Sequence, residues 1–156
     1  MDLMNYRQKI AMVYSSVTGN TEALVQVIAK QFMSYGLKLD IYRVETFDLE
    51  KIADYNAMVI GTYTWGNGEI PKEMMPLYQA FERAGREQLV TGVVGTGDRF
   101  YPHFCGAVDE FRDMLFVYTT LAVTLKVELT PESKDIAKCE KFAEIILDRM
   151  HGKRTA

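Results

Sequence analysis

Five short apolar runs punctuate the chain: Ile10 to Tyr14, Leu37 to Val44, Ala57 to Ile60, Leu89 to Val94 and Leu121 to Val127. They are rich in Val and Ile and mostly continuous rather than alternating, the pattern of strands covered on both faces. Between them, hydrophobic residues recur at helical spacing. One stripe joins Ala23, Leu24, Val27, Ile28, Phe32 and Tyr35, and a second joins Val108, Phe111, Met114 and Leu115. A third joins Ile136, Cys139, Phe142, Ala143, Ile146, Leu147 and Met150. Pro76 predicts the opening of a helix after the third strand, and Thr130 before Pro131 predicts an N-cap with proline at the first helical position. A shorter helix is expected over Leu49 to Asp54.

Five strands alternating with five helices predict an α/β three-layer sandwich around a parallel sheet. Right-handed crossovers place every loop that follows a strand at one edge. With strand order 2-1-3-4-5, the order reverses between strands one and three, and ligands bind in the crevice outside that point. The loops facing it are Ser15 to Thr21, Thr62 to Ile70 and Thr96 to Cys105. At 156 residues the chain is expected to form a single domain, 1–156, with no internal repeat or linker.

Composition narrows the class. Hydrophobic residues at 48% and charged at 25% are ordinary for a globular protein. No apolar run approaches the roughly 18 residues a membrane span requires, and Met1 to Arg7 leads into no signal-peptide core. A cytoplasmic, monomeric protein is expected, with no membrane partner. Cys105 and Cys139 match neither a redox pair nor a metal cluster, so buried thiols are expected and no metal. The net charge is −3, but Glu45 to Glu73 holds six acids against two lysines. That stretch is either an acidic patch, which would steer basic protein partners and repel nucleic acid, or a solvated helix face.

The first loop offers the hydroxyls of Ser15, Ser16, Thr18 and Thr21, the Asn20 amide, and Gly19 to turn the backbone so that successive N–H groups face one point. A helix N-terminus behind them favours an anion there, most naturally phosphate; the other reading is plain helix capping. Two better-known phosphate motifs fail. Gly61 to Gly68 has Walker A glycine spacing but Asn67 and Gly68 in place of lysine and Ser/Thr, and Gly95-Thr96-Gly97 is followed by Phe100 where a third glycine belongs. Neither ATP nor NAD is indicated. The second loop carries the chain's only tryptophan, Trp65, which reads either as packing on its own protein or on a cofactor, before Gly66-Asn67-Gly68, where a peptide can turn between two conformations. The third brings Tyr101, with Phe100 and Phe104 nearby. Trp65 and Tyr101 together leave a flat apolar slot beside the phosphate pocket, shaped for a planar ring linked to a phosphate. His103 reads as a surface residue.

Taken together, the run Ser16-Val17-Thr18-Gly19-Asn20-Thr21, the turn Thr64-Trp65-Gly66 and the run from Gly97-Asp98 through Tyr101 to Phe104-Cys105-Gly106-Ala107-Val108-Asp109 resemble the flavodoxin family, over roughly Lys9 to Arg149. The resemblance is to short-chain members, since about a dozen residues separate Tyr118 from Pro131. It implies non-covalently bound FMN. Ser16, Thr18, Asn20 and Thr21 would hold the phosphate, aided by the amides of Val17 and Gly19. Trp65 and Tyr101 would sandwich the isoalloxazine, the Gly66 carbonyl would accept a hydrogen bond from flavin N5, and Asp98 would line the flavin edge. Ser15, Thr62, Tyr63, Thr64, Asn67, Gly68, Thr96, Gly97, Phe104 and Cys105 complete the implied FMN-binding set. Asn67 stands where many relatives have an acid, and Arg99-Phe100 replaces small hydroxyl residues.

The implied function is a low-potential one-electron carrier, not an enzyme. It would shuttle between semiquinone and hydroquinone, receiving electrons from an NADPH-dependent flavodoxin reductase and passing them to redox enzymes across an acidic face. Alternatives on the same scaffold are an FMN-dependent NAD(P)H:quinone oxidoreductase and a specialised activator of a metalloenzyme. A phosphoacceptor receiver domain is set aside, because Gly61-Thr62 and Ser15-Ser16 stand where its acids belong.

Overall fold

The computed structural model describes residues 8–152. It contains strands β1 (Ile10–Tyr14), β2 (Leu39–Arg43), β3 (Ala57–Tyr63), β4 (Val90–Gly97) and β5 (Thr120–Glu128). All pair in parallel, in the order β2-β1-β3-β4-β5. Met1 to Arg7, read above for a targeting signal, lies outside the described residues. No helix among the described residues is long and apolar enough to cross a membrane, and both cysteines are free and buried.

Side-chain alternation sorts the sheet's residues into two cores. Ile10, Met12 and Tyr14 of β1 pack with helices α1 (Asn20–Ser34) and α4 (Ile136–Met150) on one face. Ala11 and Val13 pack with α2 (Met75–Ala84) and α3 (Gly106–Tyr118) on the other. Each layer is anchored by fully buried phenylalanines, Phe32 and Phe142 in the first and Phe81 and Phe111 in the second. Burying one such ring contributes roughly 1.5–3 kcal/mol, so neither helix layer is dispensable. The central strands are buried up to Tyr63 and Gly97 at the ends of β3 and β4, but β2 and β5 at the sheet edges are only partly covered.

Four predicted features change. There are four α-helices among the described residues rather than five, because the expected second helix is 3₁₀ over Leu49–Asp54, preceded by a 3₁₀ turn at Val44–Thr46. Short connectors between elements are where 3₁₀ turns are commonly found, and this segment is one, returning from the end of β2 to the start of β3. Val44, Phe47, Ile52 and Tyr55 still bury their side chains along it. The last helix does not begin at Thr130-Pro131. A capping box between Glu132 and Asp135 starts it instead, through a 3₁₀ turn at Ser133–Asp135. On α1 the buried face is Thr21, Leu24, Val25, Ile28, Ala29 and Phe32, and Tyr35 is exposed. Finally, β3 and β4 run three residues further than expected, carrying Tyr63 and Gly97 to the ligand edge.

Candidate functional site

The loop after β1 is held from several directions. The Ser15 amide donates to the Gly61 carbonyl of β3 at 3.1 Å, continuing the sheet into the loop. Ser15 Oγ, fully buried, donates to Glu73 at 2.6 Å. Ser16 Oγ accepts from the amides of Gly19 and Glu22, both at 3.2 Å, so it caps α1 from upstream of the helix. Gly19 sits at φ +92, the left-handed conformation that turns the chain into the helix. Thr21 shares a buried hydroxyl contact of 2.8 Å with Thr96 of β4. Arg43, at the end of β2, donates to the Ser16 carbonyl at 2.7 Å and pairs with Glu22 at 3.1 Å.

The loop after β3 closes as a tight hairpin. Trp65 and Glu69 exchange both backbone hydrogen bonds, at 2.8 and 2.7 Å, with Gly66-Asn67-Gly68 at the tip. Gly66 sits at φ +53, a left-handed conformation that glycine adopts at low cost. This hairpin lies directly on the third loop. A Cβ built on Gly106 would fall 2.7 Å from Gly68 Cα, and the Ala107 amide donates to Thr64 Oγ1 at 3.2 Å. The third loop folds on itself, with the Phe100 amide donating to Asp98 Oδ1 at 2.9 Å and the Tyr101 amide to the Asp98 carbonyl at 3.1 Å.

Between the three loops lies a cleft of about 540 Å³, in the range of small-molecule sites. Of the residues named from sequence, Val17, Thr18, Asn20, Thr21, Tyr63, Thr64, Trp65, Gly66, Thr96, Gly97, Asp98, Tyr101 and Cys105 line it together. The rest stand outside its wall. Ser15 and Ser16 are buried behind the first loop, Gly19 sets its turn, and Thr62 is buried with its hydroxyl on the Tyr63 carbonyl. Asn67 is exposed at the hairpin tip, Gly68 is pressed between His103 and Gly106, and Phe104 lies under the Arg99 guanidinium at 4.4 Å. His103, read from sequence as a surface residue, is exposed but also lines the cleft, as does Leu129. Its position beside Gly68 is a loop–loop contact that residue type does not announce.

The wall includes one carboxylate, Asp98, and no lysine or arginine. Arg99 is drawn away by Glu128 at 3.8 Å and by its stack on Phe104. Cys105, inside the wall, is pushed up to about 12 by burial, so it remains a thiol. Beneath the first loop, Glu73 accepts from both Ser15 and Tyr63, the latter at 2.7 Å. Burial alone would raise the Glu73 carboxyl, but these bonds hold it below its ordinary value. Burial and then the bond to Glu73 push Tyr63 up to about 12.

Residues 12–142 match the family model for flavodoxin. Probable flavodoxin 1 of Bacillus subtilis (strain 168) is 36% identical over 141 residues, spanning 86% of this chain and 87% of that one. Among solved structures, a flavodoxin of Streptococcus pneumonia TIGR4 superposes with a TM-score of 0.83 at 36% identity, over 90% of this chain and 98% of its own. Oxidised flavodoxin 1 of Bacillus cereus gives the same TM-score at 29% identity and the same coverage. The last strand, β5, spans nine residues with one register shift at Ala122 and no inserted segment, as a short-chain member requires. The chain therefore belongs to the flavodoxin family, whose members bind FMN and carry electrons.

Proposed function

We propose that this protein is a low-potential one-electron carrier that takes electrons from an NADPH-dependent flavodoxin reductase and delivers them to redox enzymes. One observation carries the reading: the cleft is walled by aromatic side chains that remain open to solvent, Trp65 at 62% and Tyr101 at 64% exposure. A buried enzyme pocket would enclose its reactive ring, whereas a carrier needs a ring edge within reach of its partners.

The residues present fit FMN in two respects. Gly19 at φ +92 has open space where a Cβ would stand, and the hydroxyls of Thr18 and Thr21 with the Asn20 amide line that end, a built nest for a dianion. The Trp65 and Tyr101 side chains supply apolar surface at the other end. When bound there, FMN supplies the one-electron chemistry, and the protein sets how readily it proceeds. Thr18 and Asn20 would hold the phosphate, with Thr21, its hydroxyl shared with Thr96, at the floor of that end, and Trp65 and Tyr101 would face the ring system. The Gly66 peptide, at the hairpin tip, would present its carbonyl as acceptor for a protonated ring nitrogen. Asp98 in the wall, without a lysine or arginine beside it, disfavours added negative charge and so lowers the potential of the final electron.

Docking on an acidic face is supported by Glu69, Glu73 and Glu110, which outnumber Lys72 in a hollow that shares Tyr63 and Trp65 with the cleft. The cations at the cleft's margins, Arg43 and Arg99, are each paired with glutamates.

The test is a spectroelectrochemical titration of protein reconstituted with FMN, alongside NADPH assays with and without an added flavodoxin reductase. Two separated one-electron steps, and NADPH oxidation only when the reductase is present, are expected. A single two-electron step, or direct NADPH oxidation by the holoprotein with transfer to a quinone, would replace this reading with the quinone oxidoreductase.

A further inference from the structure

The first loop contains no cation, yet the fold delivers one to it. Arg43 stands opposite Tyr14 in the β1–β2 register, at the strand end from which the loop departs. Its guanidinium lies 5.4 Å from the centre of the Tyr14 ring, and each of its nitrogens has a partner. Nη2 donates to the Ser16 carbonyl at 2.7 Å, Nη1 to Glu22 Oε2 at 3.1 Å, and Nε approaches Glu45 Oε2 at 3.7 Å. The two glutamates fix the plane of the fork, and the fork grips one backbone oxygen.

We propose that Arg43 is a positioning residue for the phosphate end of the cleft, acting through the Ser16–Val17 peptide. In a planar trans peptide the carbonyl and the following N–H point in opposite directions. Holding the Ser16 carbonyl towards β2 therefore turns the Val17 N–H the other way, on the side where Val17 lines the cleft. A cation on the carbonyl also polarises the peptide and strengthens its N–H as a donor. Ser16 is then fixed twice, by its carbonyl from Arg43 and by its hydroxyl on the Gly19 and Glu22 amides. A surface ion pair alone would add little to stability and would not discriminate between ligands with and without a phosphate.

The inference rests on the reading of the cleft as an FMN site, and the experiment separates the two. Affinities for FMN and for riboflavin, which lacks the phosphate, are measured on wild type, R43Q and R43K, and the Val17 amide resonance is followed in each ligand-free protein. Arg43→Gln is expected to weaken FMN roughly tenfold, the loss of one charge-assisted hydrogen bond, with riboflavin within about twofold of wild type. Arg43→Lys, which restores a cation for the carbonyl but not the fork, should recover part of the FMN affinity. The Val17 amide proton should move upfield in R43Q and partly return in R43K. Equal losses for both flavins, no loss for FMN, or an unmoved Val17 resonance would overturn the role of Arg43. Wild type that binds neither flavin would sink the FMN reading instead, and the Val17 resonance would still decide whether Arg43 sets that peptide.

Discussion

Around Ser16 the groups that shape the loop are held: the carbonyl by Arg43, the hydroxyl by two amides, and the neighbouring Ser15 by Gly61 and Glu73. At the other end of the same cleft, Trp65 and Tyr101 project into solvent, and Phe100 beside them is 95% exposed. One end has its backbone fixed by side-chain hydrogen bonds, and the other presents exposed rings on a backbone-bonded hairpin. The difference follows from chemistry. A dianion needs donors whose orientation is fixed in advance, because ordering them at the moment of binding costs entropy. A planar ring needs apolar area, which the rings Trp65 and Tyr101 supply as soon as something flat lies against them.

That contrast is broken most severely at the open end. Trp65→Ala removes the larger ring, and stacking on an aromatic side chain is worth about 1–3 kcal/mol, so affinity should fall roughly 5- to 150-fold. FMN and riboflavin should suffer alike, since both carry the ring. The unfolding midpoint of the ligand-free protein should hardly move, because an exposed ring supports little of the core. Fluorescence-quench titration with each flavin, and a urea melt without ligand, provide the three numbers. Selective loss of FMN would remove Trp65 from the ring end.

Ser16→Ala is the reciprocal change and sharpens the comparison. It deletes the acceptor for the Gly19 and Glu22 amides and so loosens both the nest and the start of α1. Losing such a cap typically costs about 1 kcal/mol, which should appear in the urea melt of the ligand-free protein. FMN affinity should fall by roughly tenfold for the loss of about 1.4 kcal/mol, with riboflavin affinity unchanged. Parallel losses for the two flavins would mean that the loop supports the whole cleft rather than its anionic end.

The sequence makes some of this legible and hides the rest for identifiable reasons. The strands announce themselves because β1, β3 and β4 are buried on both faces and therefore read as unbroken apolar runs. The three loops are legible because each follows such a run and carries residues with a plain chemical reason to be there. The crossover between β2 and β3 misleads because its apolar residues fit helical spacing, while the segment folds as short 3₁₀ turns. Arg43 is invisible as a partner of Ser16, since only the pairing of Tyr14 with Arg43 brings β2 beside the loop. Ser15 and Thr62 look like ligand residues by type, but both are buried, their hydroxyls bonded to Glu73 and to the Tyr63 carbonyl. The approach of Gly68 to Gly106 is likewise a contact between two loops that no local pattern encodes.

Glu73 ties the two ends together and gives the smallest effect. Its carboxylate takes hydrogen bonds from Ser15, behind the anionic loop, and from Tyr63, whose strand leads to the Trp65 hairpin. Because those bonds outweigh burial and hold the folded carboxyl below its ordinary value, the stabilisation is fully present above the unfolded-state value and is lost as pH falls through the folded one. Wild type should therefore lose part of its advantage over Glu73→Gln between about pH 5 and pH 3, where a glutamate carboxyl takes up its proton. The difference is expected to stay under about 1 kcal/mol, since the group is only half-buried and water screens it. Urea midpoints for both proteins at intervals across that window measure it. A gap that stays constant with pH would mean that Glu73 acts through shape alone, and one that widens on acidification would reverse the sign derived from its two donors.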